Sequence, residues 1–227
     1  IIDQFKNKII NADNLDVLKQ IPDSSVDMII TDPPYMVSNE ISLSRTNNKE
    51  IENNETYINS INHWDDCWKT QEDYLDWCKL WIKESVRTLK NNCHFVMFFD
   101  IAKISYVWEI MKDLNMKCRM LLFWLKTNTP PRGRKVDFMR DLECALWFTK
   151  GKILPDYFNY KLGQQVNYVE SAIPNNDRLH PTQKPEKPIE VWIKYLSKEN
   201  DIILDPFSGS GTTCCVAKKN KRNYIGI

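Results

Sequence analysis

Net charge is nearly absent from this 227-residue chain: 31 Lys and Arg against 30 Asp and Glu leave a formal +1. No global field therefore draws in nucleic acid, and any basic surface must be local. The sequence also has no apolar run of bilayer-spanning length and no signal-peptide pattern, so the expectation is a cytoplasmic protein with no membrane contact. Seven cysteines, at 67, 78, 93, 118, 144, 214 and 215, form no CxxC pair and no His/Cys cluster at metal-ligand spacing. An odd, unpatterned set reads as reduced thiols with no metal centre. Hydrophobic content, at 42%, is on the low side, yet eight Trp and nine Phe are enough for the core of one domain spanning residues 1–227. Both ends, Ile1 and the strand-like Tyr224-Ile225-Gly226-Ile227, read as clipped.

What is present centres on Thr31-Asp32-Pro33-Pro34-Tyr35. The preceding run, Val26 to Ile30, is broken only by Asp27 and reads as a buried strand of a parallel sheet. Two prolines end it, each fixing φ and removing a backbone donor. The residue before a proline is pushed to extended geometry, which stands Asp32 outward at the strand's carboxyl end. Ligands bind along that edge of open α/β sheets. Taken alone, the triplet fits an Asx turn with a packing tyrosine equally well.

Further strands are expected near residues 9, 96, 121, 146, 203 and 225, with 118–125 and 142–149 pairing antiparallel. Leu15, Leu18 and Ile21 have helical spacing. Thr70 with Asp73 forms a variant capping box ahead of a long amphipathic helix carrying Tyr74, Trp77, Trp81 and Leu89. Other helices are expected at 104–114, from Pro188 to Leu196, and at 212–219. Residues 36–62 are polar and aperiodic, which predicts a mobile loop; 150–179 carries no clear element.

A second feature follows the strand at Ile202: Asp205-Pro206-Phe207-Ser208-Gly209-Ser210-Gly211-Thr212-Thr213. Glycines between a strand and a helix allow a sharp turn and close approach of a ligand. No lysine precedes Thr212 and the third glycine of the dinucleotide fingerprint is missing, so the loop suits a nucleoside better than a pyrophosphate.

These two motifs, together with His180-Pro181-Thr182-Gln183-Lys184-Pro185, resemble the S-adenosylmethionine-dependent DNA amino-methyltransferases. In the group they resemble, the catalytic motif precedes the glycine loop. The likeness extends to Asn11-Ala12-Asp13, Trp64-Asp65, Leu142 to Phe148 and Tyr224 to Ile227. It implies an α/β, Rossmann-like, seven-stranded mixed sheet, six strands parallel and one antiparallel, with helices on both faces. It also implies catalysis by Asp32, Pro33, Pro34 and Tyr35: the Asp32 carboxylate and the Pro33 carbonyl accept from the target amino group, and Tyr35 stacks on a flipped base.

The resemblance assigns Asp13 and Asn14 to the cofactor adenine. Phe207, Gly209, Gly211 and Thr212 fall beside the nucleoside and methionine portions, and Asp205, His180, Thr182 and Lys184 near the methionine amino and carboxyl groups. For Lys184 a solvated side chain is the alternative. The ribose-binding acid of the family falls directly after Ile227. Double-stranded DNA is the implied partner, with phosphate contacts from Lys126, Arg132, Arg134, Lys135 and Arg140. A homodimer and a companion restriction endonuclease are further partners the resemblance allows. The short 150–179 stretch occupies the target-recognition position, so 36–62 or a second subunit would share in sequence choice.

Asp at position 32 favours adenine-N6 over cytosine-N4 chemistry. Methylation of a protein glutamine or an RNA adenine, and a non-catalytic DNA-binding subunit, are the other readings. Motif order argues against the first two, and the presence of both Asp32 and Tyr35 against the third. There is no Pro-Cys dipeptide of the cytosine-C5 type and no zinc-deaminase signature.

Overall fold

A computed structural model describes residues 1–36, 67–129, 138–152, 154–174 and 183–227. They fall into two units, Ile1–Pro33 with Trp81–Ile227, and Pro34–Leu80. In chain order the elements of the first part are β1 (Lys8–Ile9), α1 (Asn14–Leu18), β2 (Val26–Thr31), α2 (Gln71–Thr88) and β3 (Leu89–Phe98). Then come α3 (Ile104–Asp113), β4 (Met116–Lys126), β5 (Leu142–Lys150) and β6 (Tyr168–Ser171). The chain continues through α4 (Glu186–Leu196), β7 (Ile202–Asp205), α5 (Thr212–Lys219) and β8 (Asn223–Gly226).

The strands make one eight-stranded sheet in the order β1-β8-β7-β2-β3-β5-β4-β6. Only β5 runs against the others. All seven expected strands are there. The eighth, β6, corrects the count: it adds a parallel edge to β4, pairing Phe123 with Tyr168 and Lys126 with Ser171. Of its four residues only Val169 is buried, so no apolar run marked it in the sequence.

The central strands β2 and β3 are buried almost throughout, as a parallel strand covered on both faces must be. From β2 the chain crosses to β3 on one side; from β7 it crosses to β8 on the other. Right-handed crossovers in opposite directions put their helices on opposite faces and leave a crevice where they diverge. That crevice lies at the carboxyl ends of β2 and β7, which pair Met28 with Ile203 and Ile29 with Leu204.

The long helix α2 opens on the expected box: Thr70 Oγ1 accepts from the Asp73 amide at 3.1 Å, and Asp73 Oδ2 accepts from the Thr70 amide at 3.1 Å. Just past its middle Trp81 is fully buried, edge-on to Phe207 at 4.9 Å. Helix α5 lies close on β8: a Cβ at Gly226 would stand 2.7 Å from Cys214 Sγ. Cys214 packs at that contact, whereas Cys215 is exposed. His94 is a core residue of β3. Its Nδ1 accepts from Trp147 Nε1–H at 3.2 Å, its Nε2 meets the Tyr157 carbonyl, and burial pushes its pKa down to about 4. Among the described residues no helix is long and apolar enough to cross a membrane.

Candidate active site

The end of β2 delivers Asp32 to the sheet edge, and the end of β7 delivers Asp205 beside it. Asp205 is 3% exposed. Its Oδ1 accepts from Thr31 Oγ1 at 2.7 Å and from the Phe207 amide at 3.1 Å, and Thr213 also hydrogen-bonds to it. Burial is the largest influence on its carboxyl. The Asp32 charge adds to it and these hydrogen bonds oppose it, leaving the pKa raised to about 6. The group so held anchors the start of the glycine turn and ties β7 to β2 through Thr31.

The turn itself needs its glycines. Gly209 and Gly211 have φ of +48° and +77°, and Gly211 is the left-handed N-cap of α5. A Cβ there would meet Ile9 Cδ1 at 3.3 Å, so the turn closes against β1 as well. Ser208 donates from both its amide and its hydroxyl to the Ile227 carbonyl, at 2.8 and 3.0 Å. Phe207 is half-buried on Trp81, while Thr212 is buried at the head of the helix, its hydroxyl 3.0 Å from that of Ser210.

Asp13 is the N-cap of α1. Its Oδ1 accepts from the amides of Leu15 at 2.9 Å and Asp16 at 3.3 Å. Asn14, next to it, is 9% exposed, and its Nδ2 is a buried donor with no hydrogen-bond partner among the described residues.

Lys184 makes contacts that no local sequence signal announced, and it is not solvated. Its side chain is 11% exposed, and Nζ lies 2.7 Å from Asp32 Oδ2, 3.1 Å from Glu143 Oε2 and 5.1 Å from the centre of the Phe98 ring. Burial would lower the pKa of this ammonium, but the Asp32 and Glu143 carboxylates outweigh it and raise it. Glu143 in turn receives Lys126 on Oε1 at 2.8 Å. Burial would raise the Glu143 carboxyl, yet Lys184 and Lys126 hold it below the ordinary range.

Lys126, expected to contact phosphate, has a side chain that is 15% exposed, paired with Glu143 and set 5.3 Å from the Trp124 ring centre. Glu143 and Thr31 were missed as site residues. The signal for Glu143 was a lone acid at the start of an otherwise apolar strand, within the Leu142 to Phe148 motif.

In the second unit, Tyr74 Oη donates to the Pro34 carbonyl at 2.8 Å, and Trp68, Tyr74 and Trp77 cluster with ring centres 4.7 to 6.0 Å apart. Tyr35, directly after Pro34, is half-buried, and Arg140 is exposed. His180, Thr182, Arg132, Arg134 and Lys135 lie outside the described residues.

A sheet of this order, with an acidic proline corner and a glycine turn on adjoining strands at the point where the connections diverge, defines an α/β methyltransferase domain. The DNA methylase family matches over residues 26–227, and the chain belongs to it. It is 34% identical over its whole length to the type II methyltransferase M.HinfI of Haemophilus influenzae, of which it spans 66%. Over 94% of its length it is 31% identical to the type II methyltransferase M2.MboI of Moraxella bovis, spanning 79% of that protein. Among solved structures, the crystal structure of the M1.HpyAVI–SAM complex superposes with a TM-score of 0.70 at 28% identity, covering 97% of this chain and 92% of that one. The chain is thus a methyltransferase domain, and its fold matches that of a methyltransferase solved in complex with SAM.

Proposed function

We propose that this chain methylates the exocyclic N6 amino group of a specific adenine in double-stranded DNA, as the modification half of a restriction-modification system. One observation carries the reading: the Asp32-Pro33 corner stands at the end of β2, next to the glycine turn that ends β7.

The residues present fit the donor. Asn14 offers a buried donor with no hydrogen-bond partner among the described residues, and the positive-φ glycines leave backbone in place of side chains. Asp13, Asn14, Phe207, Gly209, Gly211 and Thr212 would line it directly, with His180 and Thr182 from the preceding segment. Asp205, its carboxylate taken up by Thr31, Thr213 and the Phe207 amide, serves by shaping the turn. When bound, S-adenosylmethionine supplies an electrophilic sulfonium methyl.

The chain does the rest. An adenine amine is a poor nucleophile because its lone pair is delocalised into the ring. Hydrogen bonds accepted by the Asp32 carboxylate and the Pro33 carbonyl bias that nitrogen toward tetrahedral geometry and stabilise the positive charge it develops. Pro34 keeps the corner rigid, and the Tyr35 ring is the platform for the extruded base. Arg132, Arg134, Lys135 and Arg140 would contact phosphates, with 36–62 and 150–179 choosing the sequence. A second copy of the chain and a companion endonuclease complete the proposed partners, and the cytoplasm beside the nucleoid is the expected location.

The test is direct. DNA incubated with the protein and S-adenosylmethionine is digested to nucleosides and analysed by mass spectrometry. N6-methyladenine is expected; N4-methylcytosine would overturn the choice of base, and an unmethylated digest the whole reading.

A further inference from the structure

Two carboxylates, Asp32 and Glu143, reach the same ammonium nitrogen, and a second lysine holds the farther one. The string Asp32–Lys184–Glu143–Lys126 runs along the carboxyl edge of the sheet, from the end of β2, past Phe98 at the end of β3, to the facing ends of β5 and β4. Its last two members are set by the ladder, since Glu143 pairs with Trp124 in register and Lys126 follows two residues later. Lys184 approaches from the opposite direction in sequence, immediately before Pro185, the N-cap of α4, where a proline holds the preceding residue extended.

A lysine is a costly choice for such a place. Its four-carbon stem loses rotamer freedom when fixed, and a buried ammonium is tolerated only with its charge met. A solvated lysine would have needed neither the Phe98 ring nor two acids. We propose that Lys184 is a positioning residue for methyl transfer: it fixes the orientation of the Asp32 carboxylate by holding Oδ2, with Glu143 as its anchor and Lys126 as the anchor's counter-charge.

This rests on Asp32 being the acceptor for the target amine. In-line displacement tolerates little error, and a shift of about 1 Å in a positioning group costs on the order of 100-fold in rate. A carboxylate free to rotate about its last torsion can move its oxygens by that much. The four charges sum to zero, so the string orients Asp32 without adding a net charge that would oppose the cation developing on the amine. Removing Lys184 takes away the cation that both Asp32 and Glu143 meet.

The experiment compares K184Q, K184R, E143Q and the double variant E143Q/K184Q, in single-turnover methylation and in calorimetric binding of S-adenosylmethionine. K184Q is expected to lose about 100-fold in rate while cofactor affinity stays within about twofold. K184R keeps the charge and is expected to recover about tenfold of that loss. E143Q should lose about tenfold, and the double variant should be no slower than K184Q alone, because Glu143 acts through Lys184.

A K184Q rate within about twofold of the parent overturns the proposal, as does a loss confined to cofactor affinity or a fully additive double variant. Should K184Q not fold, E143Q decides: a slowed rate with cofactor binding intact supports the string, and an unchanged rate overturns it. D32A, run alongside, separates the two levels. Full activity in D32A sinks the reading of Asp32 itself, whatever the Lys184 variants do.

Discussion

Two aspartates end adjacent parallel strands of this sheet, each followed by a proline, and they live in opposite electrostatic worlds. Asp32, with 26% of its side chain exposed, is met by a full positive charge on Lys184 at 2.7 Å. Asp205, almost wholly buried, is met by two hydroxyls and an amide, and its carboxyl is pushed up to about 6. The same residue type at equivalent strand ends thus serves different ends. A carboxylate held by a cation at the rim can present an acceptor to a substrate. One enclosed among neutral donors organises the backbone, here the turn from Phe207 to Gly211. Thr31 joins them: it precedes Asp32 in the chain and donates to Asp205.

The contrast can be broken most forcefully at Asp32. Asp32→Ala is expected to lower the methylation rate by at least about 1,000-fold while the protein still binds S-adenosylmethionine. Rate and calorimetric affinity measured on one preparation check it, and a variant that methylates normally removes the distinction.

Next in size is a pH effect at Asp205. A carboxyl whose folded pKa is raised holds its proton longer in the native state. Its contribution to stability is therefore full below the ordinary value of 3.8 and is lost as pH rises to about 6. The span corresponds to ~3 kcal/mol at most. His94 acts in the opposite sense: buried and neutral, it stabilises above 6.5, and that contribution is lost as pH falls toward about 4. Subtracting the unfolding free energies of Asp205→Asn from those of the parent, from pH 4 to 7, isolates the Asp205 slope. A flat difference would contradict the buried setting described here.

Gly226→Ala comes third, at about 2 kcal/mol of destabilisation, because the new methyl would stand 2.7 Å from Cys214 Sγ and force α5 off β8. Urea midpoints measure it. The smallest effect is expected from Thr31→Val, which removes one donor from Asp205 and costs about 1 kcal/mol. If Thr31→Val instead slowed methylation as much as Asp32→Ala, the two aspartates would have to be treated as one unit.

Much of this was legible before any coordinates. The Val26 to Thr31 strand announces itself because a parallel strand buried on both faces is apolar without alternation, and Pro33 can only end it. Thr70 and Asp73 mark a helix start because the reciprocal hydrogen bonds depend on a spacing of three. Strand β6 was not legible, since an edge strand with one buried residue carries too little periodic signal. The ion pairs of Lys126 and Lys184 were not legible, for a common reason. A lysine's charge is written in the sequence, but which carboxylate comes to meet it depends on contacts between residues 17 to 152 positions apart.

By itself the sequence determined what is local: which segments are strands and helices, where the prolines and glycines force the chain to turn, and therefore which edge of the sheet carries the candidate site. Only the tertiary structure decided what is held by distant partners: that β7 lies against β2, that Asp205 is enclosed while Asp32 stands at the rim, and that Lys184 pairs with Asp32. Periodicity and backbone restriction act over a few residues and can be read along the chain. Burial and ion pairing are properties of space, and they exist only once β2, β5 and the segment before α4 have been brought to the same edge.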